Sequence, residues 1–206
     1  MTDVAALTER YDHLRTSTLV LLAQRIEDHI RAMLKDLERI DRVTARAKST
    51  DRFVGKAMKI KDGVPRYRNP FDEIQDQVGA RIVVLYLADV ERISTIVERY
   101  LRPVESRAVE PENEREFGYF GKHYVLFIPS DLYDSSLPQG IGPRFFELQI
   151  KTLFQHAWSE AEHDLGYKPT SILLPEQKRK IAFTAAQAWG ADRIFEELHR
   201  DLDDNN

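Results

Sequence analysis

The chain has 206 residues, of which 42% are hydrophobic and 31% charged, a composition typical of one folded domain. It has no cysteine, which excludes disulfides and thiolate metal sites and fits a reducing cytoplasm. A formal net charge of −4 argues against long nucleic acid as a partner, because binding to phosphates needs a basic surface. No signal peptide or membrane span is expected, because the N-terminus lacks a basic segment and a long apolar run.

The first half of the chain predicts helices around one buried strand. Residues 17–41 have the apolar spacing of an amphipathic helix, and an extended segment over 43–47 follows. A second helix is predicted over 50–61, before an Asp-Gly-Val-Pro break. Residues 70–78 predict a short helix that leads into a strong apolar strand over 80–86.

The second half predicts further strands and then helices. Helical spacing returns over 88–101. Strands are predicted over 104–109, 123–128 and 144–150, with a loop over 129–143, and helices over 152–163 and 175–202. Helices followed by a mixed strand core and more helices indicate a single α+β domain over 1–206.

A basic cluster follows the first extended segment. Arg46 and Lys48 point to the same side of it, because side chains alternate in a strand, and Arg52 and Lys56 are neighbours on the next helix. Cations that converge where a strand enters a helix N-terminus suit the phosphates of a nucleotide. The alternative interpretation is a basic face exposed to water.

Two acids lie in or beside apolar strands, where an acid is unusual unless it is paired or binds a metal. Asp76 precedes the first buried strand, and Glu147 lies within the last one. Mg²⁺ prefers one or two carboxylates together with phosphate oxygens, so these two acids are sufficient for it. In the alternative interpretation, Asp76 caps a turn and Glu147 pairs with an arginine such as Arg81 or Arg144.

A glycine-containing segment runs from Phe117 to His123. Gly118 and Gly121 allow its backbone to approach a ligand closely, and Tyr119 between them can stack on a base. The alternative is that these aromatic residues belong to a turn or to the core.

The helix after the last strand carries three polar side chains on one face, namely His156, Glu160 and His163. The HExxH pattern of zinc enzymes is absent. The preferred interpretation is therefore that the histidines are buried, hydrogen-bonded and support the sheet.

Together, these elements resemble the synthetase domain of the RelA/SpoT family, and in particular its small single-domain alarmone synthetases. The family's motifs occur here in order: Arg46, Lys48 and Lys56; Asp76 with Arg81; Tyr119 with His123; Glu147 with Gln149; and an ending from Glu162 to Lys168. The resemblance implies a nucleotidyltransferase-like synthetase fold, with a mixed sheet of about five strands flanked by helices. It also implies a motif core over 43–168 between an N-terminal helical segment, 1–41, and a C-terminal helix.

The resemblance implies that the protein transfers the β,γ-pyrophosphate of ATP to the ribose 3′-hydroxyl of GDP or GTP, which makes (p)ppGpp. The residues that would bind ATP are Arg46, Lys48, Lys56 and Arg81, of which the two arginines would sandwich the adenine. Asp76 and Glu147 would bind the cofactor Mg²⁺, with Glu147 as the base for the hydroxyl. On the acceptor side, the implied residues are Arg115, Tyr119 and His123.

Three residues depart from the family pattern. Arg52 replaces a serine in the helix over 50–61. Gly121 replaces a serine in the segment 118–123, which we call the glycine loop, and Phe117 replaces an asparagine just before that loop. The last two lie on the acceptor side, so the donor half of the prediction is firmer than the identity of the acceptor.

Other functions therefore stay open at this point. A toxin-like relative would pyrophosphorylate the 3′ end of tRNA, an adenosine alarmone would need an adenine acceptor, and a nucleotide-binding regulator would have no activity. No His-Asp hydrolase motif precedes the synthetase motifs, so alarmone degradation is not expected. The resemblance also implies a homo-oligomer, and no membrane partner is expected.

Overall fold

The computed structural model describes residues 3–109, 113, 116–118, 121–137, 140, 142–166 and 173–203. In these residues the strands are β1 (Ile40–Ala47), β2 (Ile60–Lys61), β3 (Val64–Pro65), β4 (Val78–Val84), β5 (Pro103–Val109), β6 (Gly121–Phe127) and β7 (Phe145–Thr152). The α-helices are α1 (Val4–Leu14), α2 (Val20–Met33), α3 (Thr50–Ala57), α4 (Pro70–Glu73), α5 (Leu87–Tyr100), α6 (Leu153–Gly166) and α7 (Pro175–Asp203).

A five-stranded mixed sheet in the order β1-β4-β7-β6-β5 forms the centre of the molecule. The central pair, β4 and β7, is parallel, and the other neighbouring pairs are antiparallel. This confirms the predicted α+β class and the sheet of about five strands. The parallel pair matters for function, because it brings the starts of β4 and β7 to the same edge of the sheet.

One face of the sheet is apolar and belongs to the hydrophobic core. Ile82 on β4 and Leu148 and Ile150 on β7 are fully buried on this face. The buried sides of α2 and α5 join the same core, through residues such as Ile26 and Ile93. Because side chains alternate along a strand, the residues between these apolar positions point to the opposite face, where the polar groups collect.

The N-terminal helix differs from its prediction at both ends. Helical structure begins at Val4 and continues through a π-helical turn, Arg15–Leu19, to Met33. The apolar spacing extends to Ile40, but this residue pairs with Val84 in the sheet and is the first residue of β1. Strand pairing therefore overrides the local helical pattern after residue 33.

The helix predicted over 50–61 ends at Ala57, and β2 and β3 form a short hairpin after it. Asp62 and Gly63 both have positive φ, of 52° and 79°, which is the conformation of a two-residue hairpin turn. The prediction of one helix over 70–78 is wrong in its second half, because α4 ends at Glu73 and is followed by a 3₁₀ turn, Gln75–Gln77. That turn positions Asp76.

The later elements follow their predictions within a few residues. Strands β5, β6 and β7 and helices α5, α6 and α7 all occur, although β7 continues to Thr152 and α6 to Gly166. Residues 167–172, which include the end of the Glu162-to-Lys168 motif, lie outside the described residues. None of the described helices combines the length and apolar character needed to cross a membrane.

Candidate active site

A cavity of about 480 Å³ opens on the polar face of the sheet, and we call it the sheet pocket. Its walls come from β1, β4 and β7, from the start of α3 and from the 3₁₀ turn before β4. The predicted site residues that line it are Arg46, Lys48, Asp76, Arg81 and Glu147. Five positions separated by as many as 101 residues in the chain are thus brought to one cavity.

The strand register explains this convergence. Arg46 lies opposite Gly79, which in turn lies opposite Glu147 across the parallel pair. Two residues further along, Arg81 lies opposite Gln149. Directly opposed residues share a face of a sheet, so the arginines and the acid project to the same side.

Asp76 forms ion pairs with both lysines of the predicted ATP motif. Its Oδ2 lies 2.5 Å from Lys48 Nζ, and its Oδ1 lies 2.9 Å from Lys56 Nζ. The backbone is fixed as well, because the Lys48 N–H donates to the Gln77 carbonyl over 2.8 Å. The alternative interpretation of Asp76 as a turn cap is not what the structure shows, since its carboxylate binds the lysines.

Glu147 is half-buried and pairs with neither Arg81 nor Arg144 as the alternative interpretation had it. His123 Nδ1 on β6 lies 3.0 Å from its Oε1, and the Gln149 amide donates to the same oxygen over 3.1 Å. Burial opposes ionisation of Glu147, but these two contacts and the charge of Lys56 outweigh it and lower its pKa to about 2. The carboxylate is therefore ionised at neutral pH.

The guanidinium of Arg81 is held between the sheet and α6. It donates to Glu160 over 2.5 Å and to Gln149 over 3.3 Å, and His156 Nδ1 lies 3.1 Å away. Thus the face of α6 that superficially resembles a metal triad instead supports an arginine. His163 is exposed, so the prediction of a buried histidine is wrong there. Among the described residues, no cluster of three or more His, Asp or Glu side chains could hold a metal.

Two residues that sequence reasoning missed support this arrangement. Tyr11 on α1 stacks on Phe53 of α3 at 3.7 Å, and its hydroxyl donates to the Lys48 carbonyl over 3.1 Å. Lys151 on β7 is 2% exposed and donates to Ser159 over 3.0 Å, which fixes α6 to the sheet. Nothing in the local sequence pattern distinguishes either residue, because each contact joins distant elements.

The acceptor side is described only in part. His123 is buried on β6 beside Glu147, and its acceptor role stays a prediction. Arg115 and Tyr119 lie outside the described residues, so their acceptor roles stay predictions. Phe117 is described, and its ring meets Trp189 of α7 edge-on at 5.9 Å.

A second, larger cavity of about 640 Å³ lies at the other end of the strands, and we call it the C-terminal cavity. It is enclosed by α5, α6, α7 and the ends of β5 and β6. Trp158 and Trp189 provide aromatic walls, and Gly118 and Gly121 from the glycine loop reach it. Asp192, 4% exposed, is one of its lining residues and accepts a hydrogen bond from the Thr152 hydroxyl over 2.9 Å.

Comparison with known proteins identifies the class to which this site belongs. Residues 45–171 match the model for the region found in RelA / SpoT proteins, which is more than half of the chain. The chain therefore belongs to the RelA/SpoT family, and the family predicted from its motifs is confirmed.

Proteins similar to this chain include GTP pyrophosphokinases and a small alarmone synthetase. The chain is 27% identical over 161 residues to the GTP pyrophosphokinase YjbM of Bacillus subtilis strain 168, which covers 77% of this chain and 70% of the relative. A GTP pyrophosphokinase family protein from Streptococcus pneumoniae has a similar structure, with a TM-score of 0.73, 23% identity and coverage of 89% and 90%. Small alarmone synthetase 1 from B. subtilis, bound to its product pppGpp, matches with a TM-score of 0.72, 22% identity and coverage of 95% and 97%. The two structures confirm the synthetase fold.

Proposed function

We propose that this protein is a (p)ppGpp synthetase, which transfers the β,γ-pyrophosphate of ATP to the 3′-hydroxyl of GDP or GTP. The observation that carries the proposal is the sheet pocket, where Asp76 and Glu147 lie with the cations of the ATP motif. The relative YjbM is named a GTP pyrophosphokinase, and a protein of the same fold binds pppGpp as its product. Family membership and the pocket therefore support the same reaction.

ATP is proposed to bind when the two lysines of the sheet pocket exchange their contacts with Asp76 for contacts with the phosphates. Lys48 and Lys56 now neutralise Asp76, and a triphosphate, with about four negative charges, offers them stronger partners. Asp76 is then available to a cation. Arg46 and Arg81 on the same sheet face would hold the adenine between them, since guanidinium groups stack on aromatic rings.

The donor groups of the pocket fit Mg²⁺. Asp76 and Glu147 line one cavity, and Glu147 stays ionised down to low pH. Two carboxylates leave most positions around the ion for phosphate oxygens and water, which is the environment that Mg²⁺ prefers. When bound, Mg²⁺ supplies charge neutralisation and orientation of the phosphate oxygens.

Glu147 is proposed to orient the attacking hydroxyl as well as the metal. With a pKa of about 2 it is a weak base, so early removal of the proton is not its contribution. In the loose transition state of phosphoryl transfer, the nucleophile needs positioning more than activation. Glu147 therefore accepts a hydrogen bond from the 3′-hydroxyl and takes its proton late.

The acceptor is proposed to bind beside β6. His123 touches Glu147, so an acceptor whose hydroxyl meets Glu147 also lies within reach of β6. Tyr119 would stack on the base, and Arg115 would face the acceptor phosphates. The toxin-like activity on tRNA and the synthesis of an adenosine alarmone are tested as outcomes of the experiment below.

We also propose that the protein works in the cytoplasm as a homo-oligomer. Helix α7 exposes large apolar side chains along one stripe, at Phe183, Ile194, Leu198 and Leu202, each at least half exposed. Such a stripe is costly in water and suits packing against a second copy.

The test is incubation with γ-labelled ATP, Mg²⁺ and one acceptor at a time: GDP, GTP, ADP, ATP or deacylated tRNA. We expect label on GDP and GTP, with one AMP released for each labelled product, and no transfer by Glu147→Gln. Label only on tRNA or an adenine nucleotide would overturn the guanosine acceptor and leave the donor site standing. If no acceptor were labelled, the proposed pyrophosphokinase activity would be wrong.

A further inference from the structure

The N-terminal helix α1 is joined to the wall of the sheet pocket, although none of the residues of α1 lines that pocket. The link is Tyr11, which is fully buried and whose hydroxyl donates to the Lys48 carbonyl over 3.1 Å. Lys48 lies at the junction where β1 ends and α3 is about to begin. The peptide backbone at this junction is therefore held from both sides, by Tyr11 at the carbonyl and by the Gln77 carbonyl at the N–H of Lys48.

The ring of Tyr11 holds α3 in the same way as its hydroxyl holds the junction. It stacks on Phe53 of α3, with ring centres 3.7 Å apart and planes that differ by 5°. Phe71 packs against both rings, at 5.3 Å from Phe53 and 6.3 Å from Tyr11. Close-packed buried rings have few alternative positions, so α3 is fixed relative to α1.

The two parts of the chain that Tyr11 touches carry the two lysines of the sheet pocket. Lys48 belongs to the junction, and Lys56 belongs to α3. Both ammonium groups reach one carboxylate, that of Asp76, at 2.5 and 2.9 Å. One side chain thus fixes the backbone positions from which both lysines extend.

We propose that Tyr11 is a positioning residue of the ATP site, which sets the spacing of Lys48 and Lys56 for the triphosphate, an inference that rests on the proposed function. Tyr11 does not touch ATP and acts through the two lysines. A spacing that is set before ATP arrives lowers the cost of ordering the lysines when they bind the phosphates. Burial, together with the charge of Asp76, raises the pKa of Tyr11 above its ordinary value, so its hydroxyl stays a donor at neutral pH.

The test compares the kinetics of wild-type protein and Tyr11→Phe, with labelled ATP as donor and GTP as acceptor. Phenylalanine keeps the stacking on Phe53 and removes only the hydroxyl. We expect the KM for ATP to rise by roughly three- to tenfold, the range that one neutral hydrogen bond is worth. The KM for GTP and kcat should stay unchanged, because the loss concerns ATP binding alone.

The matched control is Tyr133→Phe. The Tyr133 hydroxyl also donates to a backbone carbonyl over 3.1 Å, that of Pro143, and Tyr133 lines neither of the two cavities. This variant should lose a similar amount of stability and leave both KM values unchanged. A rise in the KM for ATP that is confined to Tyr11→Phe therefore separates positioning from general destabilisation.

Hydrogen exchange of wild-type protein provides a second measurement, made with ATP and Mg²⁺ and no acceptor. Coupling between two sites is reciprocal, so if α1 supports ATP binding, bound ATP stabilises the contacts of α1. We expect slower exchange of the backbone amides of α1, which itself contributes nothing to the lining of the sheet pocket. The 3₁₀ turn Ser130–Leu132, next to Tyr133, is the comparison segment and should exchange at an unchanged rate.

Equal KM values for ATP in Tyr11→Phe and Tyr133→Phe would overturn the proposal, and so would an equal rise in KM for ATP and GTP, since Tyr11 would then only stabilise the fold. If Tyr11→Phe does not fold, hydrogen exchange decides: an unchanged rate in α1 overturns the proposal, and a slower rate supports it. Failure of the proposed function is distinct, because wild-type protein would then label no guanine nucleotide.

Discussion

The sheet pocket and the C-terminal cavity lie at opposite ends of β7 and differ in how their polar groups are satisfied. In the sheet pocket the charges are paired, for example Asp76 with Lys48 and Lys56, and Arg81 with Glu160. The C-terminal cavity is lined by two tryptophans among apolar and charged side chains, and one oxygen of its buried Asp192 has no hydrogen-bond partner among the described residues. The charges named in the sheet pocket are therefore neutralised in the free protein, whereas the carboxyl group of Asp192 is only partly satisfied.

This difference determines how the charged groups of each region behave. Paired charges can exchange partners with a charged ligand at little net cost, because the cost of removing them from water already arose when the protein folded. A buried carboxyl group with few partners resists ionisation, because burial penalises its charged form. We therefore expect the sheet pocket to bind charged ligands, and the carboxyl group of Asp192 to hold a proton more tightly than usual.

The largest effect should come from the two acids of the sheet pocket. Asp76→Asn and Glu147→Gln should each lower kcat for pyrophosphate transfer by at least about a hundredfold, because each removes charge from the metal site. The measurement is transfer from labelled ATP at saturating Mg²⁺ and acceptor.

The matched control is Asp72→Asn, which removes an exposed acid of α4, four residues before Asp76, and should leave kcat unchanged. Thermal unfolding of each variant separates the roles. If Asp76→Asn or Glu147→Gln retained nearly full turnover, the metal assignment would be wrong, and a large fall in Tm would indicate a structural role instead.

The cations of the sheet pocket should act on ATP and not on the acceptor. Arg46→Ala and Lys56→Ala should each lower kcat/KM for ATP by up to about a hundredfold, since each removes one charge-assisted contact. The KM for GTP should change little. Lys59→Ala is the control, because Lys59 is an exposed cation just beyond α3. Unchanged ATP kinetics in both variants would mean that the cluster is only a basic face exposed to water.

The same contrast explains how much could be predicted. Arg46, Arg81 and Glu147 could be predicted because the alternation of strand side chains fixes their face, and family motifs mark their order. Asp192 could not be predicted, because its burial depends on how α7 packs against Thr152, 40 residues earlier in sequence. In an amphipathic helix it is simply one more charged position.

The fold follows the same logic. Strong local patterns, such as the apolar strand that became β4, predict elements correctly to within two residues. The prediction failed where tertiary pairing decides, as at Ile40, whose helical spacing is overridden by its place in β1. The contact between Tyr11 and Lys48 likewise depends on packing between α1 and the end of β1.

Tyr119 tests the acceptor side from the glycine loop. Tyr119→Ala should lower kcat/KM for the acceptor by about ten- to a hundredfold, because stacking on a base is worth about 1–3 kcal/mol. Tyr119→Phe should cost little, since the ring makes the contact. Acceptor titrations at saturating ATP provide the measurement. A fall in ATP affinity in Tyr119→Ala, or equal damage from phenylalanine, would contradict the stacking role.

The last prediction concerns stability rather than activity, and it addresses the buried carboxyl group of Asp192. Burial raises the pKa of Asp192 to about 6 from its usual 3.8, only partly offset by the hydrogen bond from Thr152 and the charge of Arg193. Between pH 4 and 6 the folded protein therefore keeps a proton that the unfolded chain releases. The free energy of unfolding falls over that range by roughly 2–3 kcal/mol, and the loss persists above pH 6.

Asp192→Asn removes this dependence, so the variant should gain stability relative to wild-type protein as the pH rises from 4 to 7. Urea unfolding of both proteins at the two pH values measures the gain. The lowered pKa of Glu147 acts in the opposite direction, since its contribution is lost as the pH falls below about 4.5, but it is common to both proteins and cancels in the difference. An equal difference in stability at pH 4 and pH 7 would mean that Asp192 ionises as freely in the folded protein as in the unfolded chain. The desolvation cost that we assign to the Asp192 carboxylate would then be absent.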